Sequence, residues 1–455
     1  MIVEESVQQE YFELLRFPSV GVDPARLRDC IDCASWLRKW LMKEGFTAEL
    51  LYPTKMPQQA SALPPPVLFA ERKGSEGAPT VLVYGHYDVQ PEDPVDAWKT
   101  PPFEPTVVDG RVYARGSQDD KGQSFAFLCG VRDYLQGNPA CVPTIKVCLE
   151  GQEESGSTAL MAMAPDLRRK LAADVLLVCD TSAAADLRPA IVAGLRGVSH
   201  FTIRLTGPNR DLHSGEYSGI APNPAQAIAE IVASLHNPDG SIAVAGFRDG
   251  IEPPTEPERR AAEAAALDDQ AYYNDIGCDP VGGQQGKTIT QRNSFEPTIE
   301  VNGIHSGFGG TGSKTVIPAD AIAKISMRLV PGQSVSHVAE VVKKHLEDKC
   351  PRGMKLSVED YNPGAGGFRL PLASPIFRLA SEVLAEMDPR GPVFQWDGAS
   401  IPVVSVLREA SGAAPLIVGW GQAEDHIHSP NESYGFAQFE KAREWGRKIL
   451  EALAV

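Results

Sequence analysis

Several short polar segments of this sequence carry the residue types that bind divalent metal ions. The candidate ligands are His86, Asp119, Glu154, Asp180 and His428. Oxygen and nitrogen ligands of this kind suit Zn²⁺ or Mn²⁺, and no Cys is needed. Three carboxylates and one hydroxide would balance two divalent cations while both His stay neutral, so the set favours two ions over one. Such a pair can polarise a carbonyl and supply hydroxide near neutral pH.

Two further acids lie beside these ligands. Glu153 directly precedes Glu154 and is a candidate general base and proton shuttle. Asp88 lies two residues after His86, so both side chains point to the same face of an extended segment. Asp88 can therefore set the tautomer and orientation of the His86 ring.

Each segment taken alone also has a plainer interpretation. His-x-Asp is a weak signal, and the pair Asp119-Asp120 could cap the helix that follows it. The adjacent acids of the Gly-rich turn at 150–157 could simply be solvated. Asp180 could cap a turn, and the His-x-His that ends at His428 is common on protein surfaces. The combination of all these segments is what favours a metal centre.

Buried strands must position these residues. Residues 79–89, 144–154 and 173–180 are apolar runs too continuous for a sheet with one solvated face. Segments 124–137 and 157–172 between them have helical patterns. Alternating strands and helices predict an α/β protein with a mixed central sheet flanked by helices. The polar residues fall at the carboxyl ends of the strands, where open α/β sheets bind ligands.

The pattern changes near residue 194. A half-exposed alternating strand begins there, followed by a helix from about 224 to 236 and an acidic, Pro-punctuated stretch from 251 to 285. Two more alternating strands and a helix at 335–349 follow. We expect a small α+β domain at 194–368, inserted into a discontinuous catalytic domain of residues 1–193 and 369–455.

Composition excludes several classes of function. The chain has 455 residues, with 43 Lys and Arg against 59 Asp and Glu, and its net charge of −16 disfavours nucleic acid and anionic membranes. The N-terminus is acidic and amphipathic rather than signal-like. Cys30 and Cys33 form a C-x-x-C within a helical pattern, which favours packing over redox or metal chemistry. The scattered Cys predict a cytoplasmic protein.

The motifs as an ordered set resemble a known family. GHYDVQP, ARGSQDDKG, GQEESGS, the Asp that closes VLLVCD, DLHSG and DHIHSPNE are similar to signatures of the dinuclear metallopeptidases. That family includes cytosolic non-specific dipeptidase, carnosinase, glutamate-releasing carboxypeptidases, aminoacylase-1 and succinyl-diaminopimelate desuccinylase. DLHSGEYSG, GSKTVIPADAIAKISMRLVP and GASIPV look most similar to the dipeptidase branch.

The resemblance implies a role for each candidate residue of the metal centre. One metal would be bound by His86 and Asp180, and the other by Glu154 and His428. Asp119 would bridge both metals and precede a cis peptide bond to Asp120. Glu153 would activate the water that attacks the amide carbonyl and would then pass its proton to the leaving amine.

The resemblance also assigns the inserted domain as a lid and dimerisation domain of a homodimer. His213 would help stabilise the oxyanion, with the partner subunit's active site as one place of action. Thr315, Arg328 and Ser400 match positions that hold polar groups and the carboxylate of a substrate. Without the resemblance, His213 is an ordinary loop histidine, Arg328 a surface cation, and the other two are turn residues.

One segment departs from the dipeptidase pattern. Those relatives tend to have Arg-Glu-Gly-Gly before the residue that matches Ser400, whereas this chain has Trp396-Asp397-Gly398-Ala399. We hypothesise that Trp396 favours a bulkier or more apolar substrate. Better hydrolysis of small dipeptides such as Ala-Ala would contradict this.

Three functions follow, in order of preference. The first is metal-dependent hydrolysis of dipeptides or short peptides that carry a free carboxylate, with Zn²⁺ favoured over Mn²⁺. The second is the same chemistry on N-acyl or N-carbamoyl amino acids. The third is a metal-binding scaffold without catalysis, which Glu153 speaks against because a pure binder needs no base.

Overall fold

The apolar runs of the sequence form a mixed β-sheet in the computed structural model, which describes residues 3–53, 63–137, 139–266, 269–398 and 401–454. The chain divides into two compact units. The first unit comprises Met1–Ala193, Pro371–Gln395 and Val403–Val455, and the second comprises Gly194–Leu370 and Trp396–Pro402.

The strands are β1 (Thr47–Leu51), β2 (Val67–Arg72), β3 (Thr80–His86), β4 (Thr106–Val108), β5 (Arg111–Tyr113), β6 (Thr144–Glu150), β7 (Val175–Val178), β8 (Ala190–Leu195), β9 (Gly197–Thr206), β10 (Leu212–His213), β11 (Thr298–Ser306), β12 (Val316–Ile317), β13 (Asp320–Leu329), β14 (Lys355–Ala365), β15 (Phe368–Arg369), β16 (Val393–Asp397), β17 (Ala414–Ile417) and β18 (Ser433–Gly435).

The α-helices are α1 (Glu5–Leu15), α2 (Leu27–Lys43), α3 (Lys121–Gln136), α4 (Thr158–Met163), α5 (Arg168–Leu171), α6 (Ser214–Tyr217), α7 (Pro224–Ala233), α8 (Glu256–Ala264), α9 (Asp269–Ile276), α10 (Ile289–Ser294), α11 (Val335–Asp348), α12 (Pro375–Met387), α13 (Pro402–Ser411) and α14 (Phe436–Leu453).

The first unit is built on the central sheet, in which seven strands lie in the order β1-β2-β6-β3-β7-β17-β8. Strand β3 pairs in parallel with β6 and β7, and β17 pairs in parallel with β7, whereas β1, β2 and β8 join antiparallel. Nearly every residue of β3, β6 and β7 is buried. The predicted mixed sheet with strands buried on both faces is therefore confirmed.

Helices cover this sheet and pack on one another. Helices α2 and α3 pack against its strands, and α1 and α14 pack against α3. The rings of Tyr11, Trp40, Phe125 and Phe439 form an aromatic cluster between these helices. Gly130 allows α3 and α14 to approach closely, because a Cβ there would lie 2.1 Å from the Arg443 carbonyl oxygen.

The predicted single helix at 157–172 is wrong. The structure contains two short helices, α4 and α5, separated by residues 164–167. Pro165 lies in this gap, and proline within a helix removes one hydrogen bond and clashes with the preceding turn. The helix therefore ends before Pro165 and restarts after it.

The second unit contains a four-stranded antiparallel sheet in the order β11-β13-β9-β14. Residues alternate between buried and more exposed along β9 and β13, as the sequence predicts for strands with one solvated face. The buried face packs on residues of α7 and α11, with Phe201, Ile228, Ile325 and Val342 in the shared core. Strands β10 and β12 form a separate two-stranded sheet.

Cys30 and Cys33 are packing residues of the core rather than a redox pair. Cys30 and Cys33 lie in α2 and are completely buried, and all eight cysteines are free. Within the described ranges, every helix is too short or too polar to cross a membrane.

Candidate metal centre

Three neighbouring strands bring acidic and histidine residues to one edge of the central sheet. His86 is the last residue of β3, Asp180 follows β7, and Glu153 and Glu154 open a 3₁₀ turn shortly after β6. Because β6, β3 and β7 run parallel and adjacent, their carboxyl ends meet at the same edge. Asp119 lies in the loop before α3, and its peptide bond to Asp120 is cis.

The five predicted ligands converge into two groups that share Asp119. His86 Nε2 lies 3.2 Å from Asp119 Oδ1 and 3.9 Å from Asp180 Oδ2. On the other side, His428 Nε2 lies 2.9 Å from Asp119 Oδ2 and 3.2 Å from Glu154 Oε2. In each group of three residues, the potential ligand atoms all lie within 4.8 Å of one another. Either group could therefore hold a metal ion.

Asp88 contacts both His86 and the acidic turn. Its main-chain oxygen lies 3.0 Å from His86 Nδ1, and its carboxylate lies slightly farther away at 3.4 Å. The carboxylate also accepts the main-chain N–H groups of Glu153 and Glu154, each at 3.2 Å. Asp88 therefore orients the histidine ring largely through its backbone and uses its side chain to hold the turn that carries Glu154.

The electrostatics of the cluster favour a cation. Burial raises the pKa of Asp180 to about 7, and the nearby carboxylates of Asp119 and Glu154 add to this shift. Burial likewise raises the pKa of Glu153 well above its usual value. Hydrogen bonds to Asp119 and Glu154 raise the pKa of His428 to about 10. Converging carboxylates therefore need compensating positive charge, which metal ions can supply.

The donor set also fits a metal chemically. Because His86 Nδ1 faces the main-chain oxygen of Asp88, Nδ1 carries a proton, and Nε2 is the nitrogen that could bind a metal ion. Among the described residues, no group meets this buried Nε2 with hydrogen-bond geometry, although Asp119 Oδ1 is close. Imidazole nitrogen together with carboxylate oxygens is a donor set suited to Zn²⁺ or Mn²⁺.

Several residues that contact the cluster were missed from the sequence. Gln90 Nε2 donates to Glu154 Oε2 at 2.7 Å, and Asp120 accepts the main-chain N–H of His86 at 3.2 Å. Glu432 is buried beside Asp119 and pairs with Arg115. Arg115 lies in the motif ARGSQDDKG, and Glu432 lies in DHIHSPNE. Each is a charged residue four positions from a candidate ligand, which was the only indication of its role in the sequence.

Three of the predicted substrate-binding residues, His213, Thr315 and Arg328, belong to the second unit. His213 is the last residue of β10, and Thr315 immediately precedes β12, the strand paired with β10. Both side chains are exposed, and the main-chain N–H of Ser214 donates to the Thr315 carbonyl. Arg328 lies in β13 and is half-buried, and this burial lowers its pKa against the opposing effect of Asp397. Ser400 lies outside the described residues.

Trp396 packs inside the second unit. Its side chain is only 6% exposed, its ring lies 5.5 Å from that of Phe295, and a Cβ on Gly194 would approach it to 2.8 Å. Arg196 Nε donates to the carbonyl of Gly398 and so fixes the same segment. The ring fills a core position, which gives no support to the hypothesis of a bulkier or more apolar substrate.

Comparison with known proteins decides the family. Residues 82–452 match the profile of the peptidase family M20/M25/M40. The chain belongs to this family. The match confirms the resemblance to dinuclear metallopeptidases and identifies this M20 protein as a metallopeptidase.

Relatives and solved structures of M20 proteins are similar over most of the chain. Human Beta-Ala-His dipeptidase is 31% identical over 384 residues, covering 84% of this chain and 76% of that protein. The Cys-Gly metallodipeptidase dug1 of Schizosaccharomyces pombe is 30% identical over 389 residues, covering 83% and 80%. The M20 family metallo-carboxypeptidase Sso-CP2 of Sulfolobus solfataricus superposes with a TM-score of 0.88 at 27% identity, covering 100% of both chains. The predicted fold class is confirmed by this likeness.

Proposed function

We propose that this M20 protein hydrolyses the amide bond of dipeptides, or of short peptides with a free carboxylate, by means of two divalent metal ions. The observation that carries the proposal is the pair of ligand groups that share Asp119, with Glu153 adjoining the ligand Glu154. The names of two relatives, a Beta-Ala-His dipeptidase and a Cys-Gly metallodipeptidase, support dipeptides as the substrate class.

His86 and Asp180 would hold one ion, Glu154 and His428 would hold the other, and Asp119 would contribute to both. Zn²⁺ is the proposed ion, with Mn²⁺ as the second choice, because the ligands are imidazole nitrogen and carboxylate oxygen. When bound, such a pair of ions polarises the scissile carbonyl and lowers the pKa of the attacking water.

Glu153 is the proposed general base. It adjoins Glu154 in sequence but is not part of either ligand group, so its carboxylate is available for proton transfer. Its main-chain N–H is held by Asp88, which fixes the turn without engaging the Glu153 side chain. Glu153 takes a proton from the attacking water and delivers it to the amine nitrogen as the amide bond breaks.

The second unit is the proposed lid and dimerisation domain, and the protein is a homodimer. His213 stabilises the developing oxyanion, and the partner subunit's active site is one place where it acts. Thr315, Arg328 and Ser400 hold polar groups and the carboxylate of the substrate. The partly buried positive charge of Arg328 supports carboxylate binding. The free cysteines support a reducing location such as the cytoplasm.

Metal analysis coupled to a substrate panel tests this function. The purified protein should contain two metal ions per chain, lose activity on chelation and regain it with Zn²⁺ or Mn²⁺. Unblocked dipeptides should be hydrolysed with higher kcat/KM than N-acetyl or N-carbamoyl amino acids. The reverse preference would indicate an amidohydrolase of acylated amino acids. Bound metal without turnover on any substrate would indicate a binding scaffold.

A further inference from the structure

Glu432 is a buried carboxylate that gathers four N–H donors in the loop before α3. Its Oε2 accepts from Arg115 Nη1 at 2.8 Å and from the main-chain N–H of Gly116 at 2.9 Å. Its Oε1 accepts from the main-chain N–H groups of Gln118 at 2.9 Å and Asp119 at 3.1 Å. One side chain thus determines the course of the loop that ends in the shared metal-ligand residue.

Arg115 is held in place from several directions. Its side chain is 1% exposed, its Nη2 donates to the Pro91 carbonyl at 3.1 Å, and its guanidinium lies 5.3 Å from the centre of the Trp98 ring. The main-chain oxygen of Glu432 also accepts the Ala114 N–H at 3.2 Å. The ion pair is therefore anchored rather than free to rearrange.

Glu432 also lies four residues after His428, on the same loop between β17 and β18. His86 ends β3, and Glu154 and Asp180 come shortly after β6 and β7, so the ladder of the central sheet restricts their relative positions. Asp119 and His428 come from long loops instead, and Glu432 connects these two loops directly. Their contact of 2.9 Å therefore depends on Glu432 more than on the sheet.

We infer that Glu432, paired with Arg115, is a positioning residue that sets the spacing between Asp119 and His428. It thereby determines the affinity of the metal position formed by Asp119, Glu154 and His428. The other position should depend on it less, because His86 and Asp180 are placed by β3 and β7. This inference rests on the proposed two-metal function and adds a residue that binds no metal itself.

Glu432→Gln is the informative substitution because it changes chemistry with almost no change in volume. All four partners of the carboxylate are N–H donors, whereas a Gln amide offers only one oxygen as acceptor. In either orientation of the amide, two donors would face an NH₂ group. The loop should lose its fixed course near Asp119 while the core stays filled.

The chain offers a matched control in the ion pair between Asp133 of α3 and Arg443 of α14. Arg443 Nε and Nη2 donate to the Asp133 carboxylate at 2.6 and 3.0 Å. This pair also joins distant parts of the first unit but touches none of the proposed ligands. Asp133→Asn therefore measures the effect of breaking a partly buried ion pair on stability alone.

The experiment titrates Zn²⁺ into metal-free wild type, Glu432→Gln and Asp133→Asn in competition with a chelator. Wild type and Asp133→Asn should each bind two ions tightly. Glu432→Gln should keep one tight position and bind the second ion about 10- to 100-fold more weakly, as is usual when a residue behind a ligand is lost. In the metal-free Glu432→Gln protein, amide hydrogens of segment 114–123 should exchange faster than in wild type.

If the single variant does not fold, Arg115→Gln combined with Glu432→Gln removes the unpaired buried charge and should show the same selective weakening. Two ions bound with wild-type affinity by the Glu432 variant, or unchanged amide exchange, would overturn the inference. Equal loss of metal in Asp133→Asn would also overturn it, because general destabilisation would then be the cause. A wild-type protein that binds no metal would refute the proposed function instead.

Discussion

Replacing Glu153 with Gln separates proton transfer from metal binding. The amide keeps the size of the side chain, and the main-chain N–H of Glu153 can still donate to Asp88. The neighbouring Glu154, a proposed ligand, is also retained, together with the hydrogen bond that it accepts from Gln90. We therefore expect the variant to fold, to bind two metal ions and to bind substrate normally, but to lack the base.

The size of the effect follows from the role of the base. General acid–base catalysis contributes about 10²- to 10⁴-fold, which corresponds to about 3 to 5 kcal/mol of transition-state stabilisation. Because the lost proton transfer occurs only in the transition state, kcat should fall by this factor while KM stays close to its wild-type value. A large rise in KM would point to substrate binding instead.

The assay follows hydrolysis of an unblocked dipeptide at saturating substrate, alongside metal content by mass spectrometry. Glu154→Gln is the control variant, because it removes the proposed ligand at the adjacent position and should lower both metal content and activity. If Glu153→Gln has a kcat close to wild type, Glu153 is not the base. If it loses metal as Glu154→Gln does, its role is ligation.

Three further outcomes are expected. Gly122→Ala should lower the free energy of unfolding in urea by about 1–3 kcal/mol, because the added Cβ would lie 1.8 Å from the Ser117 carbonyl oxygen. Gly309→Ala should leave this free energy unchanged, because its Cβ would meet no atom within 4 Å. A thiol reagent should react rapidly with the exposed Cys278, and Cys278→Ser should abolish this rapid reaction. Cys30 should react only after denaturation, because burial raises its pKa to about 12. Arg328→Gln should raise KM for a dipeptide about tenfold or more but leave hydrolysis of its C-terminal amide unchanged.

Much of the fold is predictable because it follows local patterns. Continuous apolar runs correspond to β3, β6 and β7, and alternating residues correspond to β9 and β13. The apolar spacing of residues 157–172 favours one helix, but Pro165 divides this segment into α4 and α5. The missing N–H and the ring of the proline therefore interrupt a helix that the apolar periodicity alone would favour.

The supporting contacts of the metal centre could not be predicted. Glu432 and Arg115 are separated by 317 positions, and nothing in either local pattern indicates that they pair. The burial of Trp396 is similar, because the ring is enclosed by Gly194 and Phe295, which are remote in sequence. Such contacts arise only when distant segments pack together.

The sequence by itself determined the chemistry available to this M20 protein. Five candidate N and O ligands, the places of His86, Glu154 and Asp180 at or after the ends of buried strands, and the extra acid beside Glu154 all follow from residue type and spacing. Only the tertiary structure decided which atoms meet: that Asp119 lies between two ligand groups, and that Asp88 orients His86 mainly through its backbone. The reason is physical, since residue type sets what an atom can bind, whereas interatomic distances depend on how separate strands and loops pack.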